Sequence, residues 1–206
     1  EYEPHANGLS ALHVPETGIV NYLDVCDSLS KQFKEKSEIL TGNRVVNIIK
    51  DKNKVSVLTN HKNFKTKFVI NCAGLFSDKI AKLVNPKINI CIVPFRGEYF
   101  KLKEEKRFLV KNLIYPVPNP KYPFLGVHFT RSMEGDIEAG PNAVLAFARE
   151  GYSLSSFSIP DMWSYLSFPG FWRMAIKYYS IAFNEYYRSF YKRAFVEQLK
   201  KLIPEI

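Results

Sequence analysis

The pattern of apolar and polar positions predicts a helix followed by three short strands in the first part of the chain. Apolar residues recur every three to four positions from Tyr22 to Phe33, as on one face of a helix, and Asn21 is suited to cap its start. Polar turns then separate three strands in the order of a β-meander. The helix is expected at 21–36 and the strands at 43–50, 54–59 and 64–71.

A turn of small residues follows the third predicted strand. Residues 68–70 are apolar without interruption, which predicts a strand buried on both faces. Cys72, Ala73 and Gly74 then lead into a helix predicted at 77–84. A buried strand, a glycine turn and a helix N-terminus together form a place suited to an anion or a nucleotide. An ordinary strand-to-helix turn is the alternative interpretation.

The second part of the chain predicts an antiparallel sheet followed by helices. Its expected strands are short apolar runs at 88–93, 98–102, 124–131 and 136–139. Residues 140–142, with the sequence Gly-Pro-Asn, predict a sharp turn that shapes the wall of a pocket. From Pro160 the pattern becomes helical, and the clearest helix is expected at 184–202, where apolar residues form one stripe.

Composition and charge limit the classes of function. Of the 206 residues, 46% are hydrophobic and 24% are charged, which is ordinary for a soluble globular protein. The net charge of +9 favours an anionic partner, such as an acidic substrate, a nucleotide cofactor or a membrane surface. No named motif for DNA or RNA binding occurs, and no uncharged apolar run reaches the roughly 18 residues that span a bilayer. Three cysteines without a C-x-x-C spacing support neither a zinc site nor a disulfide framework, which favours a cytoplasmic location.

The second part of the chain also carries the candidates for binding and catalysis. Arg96 lies beside a glycine and is suited to hold a carboxylate by two hydrogen bonds, and Tyr99 could donate from its hydroxyl. His128 is a candidate general base because imidazole titrates near neutral pH, and His13 is a weaker second candidate. Alternation along a strand places His128 and Arg131 on opposite faces, so only one of them is expected to reach a given pocket. The alternatives are a surface arginine and a structural histidine.

Several phrases together resemble the FAD-dependent L-2-hydroxyglutarate oxidases and dehydrogenases, which belong to the flavoproteins similar to D-amino-acid oxidase. The phrases occur in the family's order, at similar spacing, over about residues 3–152. They are residues 7–9 (NGL), 11–15 (ALHVP), 17–20 (TGIV), 69–75 (VINCAGL), 77–78 (SD), 96–99 (RGEY), 115–118 (YPVP), 126–131 (GVHFTR) and 140–146 (GPNAVLA).

The resemblance implies part of a two-domain α/β flavoprotein. A partial FAD-binding domain, Rossmann-like and carrying the β-meander, is expected at 1–85, and a substrate-binding domain with a mixed or antiparallel sheet and C-terminal helices at 86–206. The implied reaction is oxidation of L-2-hydroxyglutarate to 2-oxoglutarate, with hydride transfer to flavin N5. The residues implied to contact FAD are Val46, Cys72, Ala73 and Gly74. The residues implied to surround a small dicarboxylic 2-hydroxy acid are Arg96, Tyr99, Arg131 and, as the base, His128.

The sequence departs from this family at the phosphate-binding loop. No two glycines are separated by a single residue, so the G-x-G-x-x-G loop that holds the FAD pyrophosphate does not occur here. The chain therefore resembles the middle of such an enzyme and is expected to be inactive alone, and the base could also lie outside it. Two alternatives stay open: a related flavin oxidoreductase that acts on an amine or glycerol-3-phosphate, and a non-catalytic module whose basic, aromatic C-terminal region binds a membrane or a partner. A peripheral position on the inner face of a membrane, with a quinone as electron acceptor, is compatible with the interpretation as an FAD-dependent enzyme.

Overall fold

The chain forms two compact units, and neither is continuous in sequence. The structure is a computed structural model that describes residues 2–118, 120 and 126–206. Unit 1 consists of residues 1–25, 95–145 and 174–206, and unit 2 consists of residues 26–94 and 146–173. The assignment of 1–85 to a partial FAD-binding domain and of 86–206 to a substrate-binding domain stays a prediction.

The first helix and the β-meander form as predicted. Helix α1 (Tyr22–Lys34) is capped by Asn21, whose Oδ1 accepts a hydrogen bond of 3.0 Å from the backbone N–H of Leu23. No residue of α1 is buried. The antiparallel meander of unit 2 comprises β1 (Val45–Lys50), β2 (Val55–Thr59) and β3 (Asn63–Thr66), paired in that order.

Two stretches of predicted strand in unit 2 do not form: the second half of the strand expected at 64–71 and the strand expected at 88–93. β3 ends at Thr66, and the apolar run that follows is exposed, with Phe68 at 83% and Ile70 at 86%. Among the described residues no strand lies beside this run, so its backbone has no ladder to join. Residues 88–93 are likewise irregular, because the Ile92 N–H donates to the Asp78 carboxylate rather than to a neighbouring strand.

The helices of unit 2 follow small-residue or proline signals. A short 3₁₀ turn (Gly74–Phe76) leads into α2 (Ser77–Val84), as the sequence predicts. Helix α3 (Ile159–Leu166) begins after Ser158, whose Oγ accepts from the N–H of Asp161. Helix α4 (Pro169–Lys177) follows, and its last residues belong to unit 1.

Unit 1 contains the predicted antiparallel sheet, with one predicted turn inside a strand. Its strands β4 (Phe95–Lys101), β5 (His128–Arg131) and β6 (Ile137–Leu145) pair in the order β4-β6-β5. The expected turn at 140–142 is wrong, because these residues lie within β6, where Gly140-Pro141 is a cis peptide. The β4–β6 register shifts between Glu98 and Phe100, and this irregularity accommodates a proline that has no N–H to donate. Residues 124 and 125 of the predicted third strand lie outside the described residues.

The predicted C-terminal helix is interrupted. It forms as α5 (Tyr179–Phe190) and α6 (Lys192–Leu199), separated by Tyr191 at φ −112° and ψ 92°. Only the second half of the predicted stripe is buried, since Phe195 and Leu199 lie in the core and Tyr187 and Phe190 are exposed. The core of unit 1 comprises Leu109, Val110, Phe129, Ile137, Ala139, Phe195, Leu199 and Ile203. Each large apolar side chain buried there contributes about 2 kcal/mol to stability.

Candidate functional site

His128 is held in a defined orientation at the start of β5. It is buried and lies opposite Gly140 of β6 in the antiparallel pairing. Its Nδ1 lies 3.0 Å from the backbone oxygen of Gly126. A carbonyl oxygen only accepts, so Nδ1 carries the proton in this contact and Nε2 of the neutral ring keeps its lone pair.

Two tyrosines enclose the His128 ring. The ring of Tyr115 stacks on it at a centroid distance of 4.3 Å and an angle of 22°. Tyr99 approaches edge-on at 6.4 Å and 72°. Gly140 makes room for Tyr99, because a Cβ on Gly140 would lie 2.7 Å from Tyr99 Cδ1 and 2.7 Å from the Glu98 backbone oxygen. These residues are called the histidine cluster below: Tyr99, Tyr115, His128 and Gly140.

Burial sets the protonation states in the histidine cluster. Desolvation lowers the pKa of His128, and the hydrogen bond to Gly126 opposes this only in part. His128 is therefore neutral at neutral pH and able to accept a proton at Nε2. Desolvation, together with the neighbouring Tyr115 and Glu138, raises the pKa of Tyr99, so its hydroxyl keeps its proton and can donate.

Arg96 is buried but its charge is already matched. Its Nε and Nη2 donate to Oε1 of Glu98 at 3.1 and 2.8 Å. The other carboxylate oxygen of Glu98 accepts from the hydroxyl of Ser189 in α5 at 2.6 Å. A substrate carboxylate at Arg96 would thus have to share the guanidinium with Glu98 or displace it.

Arg131 and His13 are not part of the histidine cluster. Arg131 is exposed and donates from Nη1 to the backbone oxygen of Lys111 at 3.2 Å. It shares a face of β5 with Phe129, as the alternation predicts, and not with His128. His13 is exposed and stacks on Tyr2 with ring centroids 4.1 Å apart. Of the predicted substrate-side residues, the structure brings together Tyr99 and His128.

The predicted cofactor turn of unit 2 is closed by the side chain of Asn71, a role that was not predicted from the sequence. Asn71 accepts from the Ala73 N–H at 3.2 Å and donates to the Ser77 backbone oxygen at 2.8 Å. Gly74 adopts a left-handed φ of +51°, which favours glycine. The hydroxyl of Ser77 donates to the Gly74 oxygen at 2.8 Å and stabilises the same turn. An asparagine before a small-residue turn is the signal that could have identified it.

A buried ion pair lies directly behind this turn. Arg149 donates from Nη1 and Nη2 to the two carboxylate oxygens of Asp78 at 2.6 and 2.7 Å. The Arg149 and Asp78 side chains are only 1% and 2% exposed. Burial alone would raise the pKa of Asp78, but the hydrogen bonds from Arg149 and from the Ile92 N–H lower it below its ordinary value. An arginine directly after the apolar run at 143–148 was the sequence signal for this pair.

Comparison with known proteins identifies the class. The sequence profile of the DAO family, described as FAD dependent oxidoreductase, matches residues 1–178. The chain belongs to this family of FAD-dependent oxidoreductases, which confirms the predicted α/β fold class and the predicted cofactor class. Its fold also resembles that of the L-proline dehydrogenase from P. horikoshii, with a TM-score of 0.52 at 16% identity, covering 89% of this chain and 39% of that one.

Individual relatives share one name. The chain is 48% identical over its whole length to the L-2-hydroxyglutarate dehydrogenase of Indibacter alkaliphilus and covers 52% of that protein. It is 42% identical over 99% of its length to the mitochondrial L-2-hydroxyglutarate dehydrogenase of Homo sapiens and covers 47% of it. The chain spans about half the length of the curated relatives that it matches.

The backbone at Gly74 is open to the approach of a ligand. A Cβ built on Gly74 would meet no atom within 4 Å, so the backbone there faces open space. Cys72 beside it and Val46 on β1 are also exposed. The residues present thus fit a role along one part of FAD. Among the described residues no cluster of metal-ligating side chains occurs, and no helix is long and apolar enough to cross a membrane.

Proposed function

We propose that the whole protein that carries this chain oxidises L-2-hydroxyglutarate to 2-oxoglutarate with FAD as its cofactor. The observation that carries the proposal is His128, a buried, neutral imidazole whose Nδ1 is occupied by the Gly126 carbonyl. The names of the relatives, at 42–48% identity, support the choice of substrate. The chain alone is expected to be inactive, because it spans about half the length of those relatives.

In this proposal His128 accepts the proton of the substrate hydroxyl at Nε2. Bound FAD would supply the acceptor for the hydride that leaves the carbon bearing this hydroxyl. Stacking on Tyr115 at 4.3 Å restrains the imidazole plane, and the Gly126 carbonyl fixes the tautomer, so Nε2 is presented without reorganisation. The hydroxyl of Tyr99, whose pKa is raised by burial, would donate to a substrate oxygen.

Arg96 is proposed to hold one substrate carboxylate. Its planar guanidinium suits a carboxylate, and its Nε and Nη2 already donate to one carboxylate oxygen of Glu98. Substrate binding would then exchange one carboxylate for another at the same cation, and the Glu98 carboxylate would keep the Ser189 hydroxyl as its hydrogen-bond donor. Arg131, exposed and on the other face of β5, is proposed to attract the dianion at longer range rather than to touch it.

In unit 2, Cys72, Ala73 and Gly74 are proposed to lie along FAD, with Val46 nearby on β1. The open space at Gly74 supports this role, since the backbone can approach a ligand closely there. The G-x-G-x-x-G loop for the pyrophosphate would have to come from outside this chain.

The decisive experiment is anaerobic reduction of the flavin in the whole protein. L-2-hydroxyglutarate is expected to bleach the flavin absorbance, whereas a primary amine and glycerol-3-phosphate are not. The variant His128→Asn is expected to bind the substrate but to reduce the flavin about 100-fold more slowly or worse, because a general base contributes about that factor. Bleaching by the amine or the phosphate ester alone would refute the substrate assignment, and an unchanged rate in His128→Asn would refute the role of the base.

A membrane contact is a second proposal, and the exposed stripe of α5 favours it. Tyr179, Phe183 and Phe190 recur on one helix and are exposed, with Phe183 at 72%. Aromatic side chains beside basic residues suit an anionic lipid surface, which fits the net charge of +9. A peripheral position on the inner face of a membrane, with a quinone as electron acceptor, is compatible with this proposal. Sedimentation of the whole protein with anionic vesicles, lost in Phe183→Ser, would support it, and absence of binding at low salt would remove it.

A further inference from the structure

The ion pair of Arg149 and Asp78 is connected to the backbone directly after Gly74 and to the start of α2. Arg149 Nη1 also donates to the backbone oxygen of Leu75, the residue directly after Gly74. Asp78 Oδ1 accepts from the Lys79 N–H at 2.8 Å, and Oδ2 accepts from the Ile92 N–H at 3.0 Å. One buried arginine therefore binds the turn and, through Asp78, the first turn of α2.

A second acid connects this pair to α3. Asp161 Oδ2 accepts from the backbone N–H of Arg149 at 3.1 Å, and Oδ1 accepts from Lys79 Nζ at 2.8 Å. The cluster thus contains two cations and two carboxylates, so its formal charge is balanced. Phe76 is held by the same cations, with the Arg149 guanidinium 5.8 Å and Lys79 Nζ 5.4 Å from its ring centroid.

We propose that Arg149 and Asp78 are positioning residues that hold the Gly74–Phe76 turn in the conformation that binds FAD. This inference rests on the proposed function, because it is that proposal that places the cofactor at the turn. Neither side chain touches the cofactor in this role. They act by fixing the Leu75 carbonyl and the Phe76 ring, which leaves the open side of Gly74 towards the ligand.

Stability alone does not explain the pair. Two buried charges cost desolvation that their attraction roughly offsets, and apolar replacements of such pairs are often neutral or stabilising. The pair does, however, restrict the backbone at a glycine, the residue with the greatest conformational freedom. A ligand that binds an ordered turn avoids the entropy of ordering it, and each backbone residue ordered on binding costs about tenfold in affinity. The expected effect of losing the pair is therefore weaker cofactor binding rather than unfolding.

The test removes both charges together, so that neither is left unpaired. In Asp78→Asn/Arg149→Met, asparagine can still accept from the Ile92 N–H, and Lys79 still neutralises Asp161. The control is Arg107→Met/Asp136→Asn, which applies the same substitutions to a less buried ion pair of unit 1, whose Nη2 and Oδ1 atoms are 2.5 Å apart. Two readouts are needed, both on the whole protein: hydrogen exchange at the amides of residues 72–77 without cofactor, and the dissociation constant of FAD. Arg149→Lys, which keeps the charge but loses the two-pronged contact, serves if the double variant does not fold.

The inference predicts faster exchange at residues 72–77 and FAD binding weakened by about tenfold or more in the Asp78/Arg149 variant, with neither change in the control. Unchanged exchange at the turn, or equal changes in both double variants, would overturn it. Weaker FAD binding with unchanged exchange would also overturn it but would leave the proposed function intact. A wild-type protein that binds no FAD would overturn the proposed function and the cofactor role of the turn together.

Discussion

Replacement of Gly140 by alanine should disturb unit 1 at the point where β4, β6 and the histidine cluster meet. A Cβ on Gly140 would lie 2.7 Å from the Glu98 backbone oxygen and 2.7 Å from Tyr99 Cδ1. The tyrosine ring could rotate away, but the Glu98 oxygen belongs to the backbone of β4 and cannot move without displacing the strand. The clash therefore has to be relieved by the sheet itself.

The cost is expected to be about 1–3 kcal/mol, the range found when a methyl group is forced into a well-packed region. Substitutions at two further glycines provide a comparison for this cost. A Cβ on Gly97 would lie 3.0 Å from Pro141 Cβ, a contact that small shifts can relieve, and a Cβ on Gly18 would meet no atom within 4 Å. The expected order of destabilisation is Gly140→Ala, then Gly97→Ala, then Gly18→Ala. The last is neutral or stabilising by about 0.5 kcal/mol because alanine restricts the unfolded chain.

The measurement is urea unfolding followed by near-ultraviolet circular dichroism, to which Tyr99 and the other aromatic residues contribute. Trp163 and Trp172 both lie in unit 2, so their fluorescence serves as a separate probe. Displacement of Tyr99 should also remove the edge contact of 6.4 Å with His128 and shift its imidazole NMR signals. A Gly140→Ala variant within 0.5 kcal/mol of Gly18→Ala, about the spread of neutral surface changes, would refute the packing argument.

Three further predictions concern pH and capping. Burial lowers the pKa of His128 below 6.5, so the unfolded chain binds the proton more tightly; stability should fall as pH drops below about 6.5, and His128→Asn should remove this part of the pH dependence of urea unfolding. Burial raises the pKa of Glu185 above 4.5, so here the folded chain binds the proton more tightly than the unfolded chain. The wild type should therefore lose stability relative to Glu185→Gln as pH rises from 4.5 through the folded pKa. An equal dependence of stability on pH in the two proteins would contradict this. Asn21→Ala should cost α1 about 1 kcal/mol and, since no residue of that helix is buried, should lower the helical circular dichroism measurably; an unchanged spectrum would show that the cap is unimportant.

Features set by neighbouring residues could be predicted from the sequence. The cap at Asn21, the meander and α2 depend on patterns within a few residues, and each forms. The opposite faces of His128 and Arg131 follow from strand alternation in the same way. Such patterns report which side of an element is apolar, whereas the resemblance to the family came from specific sequence phrases such as residues 126–131 and 140–146.

Features set by distant partners could not be predicted. An apolar run predicts burial only if something covers it, and within the described residues Phe68 and Ile70 have no such cover. Gly-Pro-Asn is a turn signal taken by itself, but pairing with β4 holds it inside β6. Tyr115 lies outside the strand of His128, and no helix or strand periodicity relates the two residues. Their stacking could therefore not be predicted from the sequence.

Because several arginines pair with acids, the net positive charge does not indicate where an anion binds. The charge of +9 predicts attraction of anions, and Arg96 is the predicted anion ligand. Yet Arg96 is bound by Glu98, as Arg107 is by Asp136, Arg149 by Asp78 and Arg188 by Glu185. The surplus charge therefore resides mainly on other basic residues, most of them lysines, which attract an anion at long range but do not define where it binds. In the proposed function, selectivity for a dicarboxylate would depend on whether the substrate can replace Glu98 at Arg96 while the Ser189 hydroxyl still donates to the displaced carboxylate.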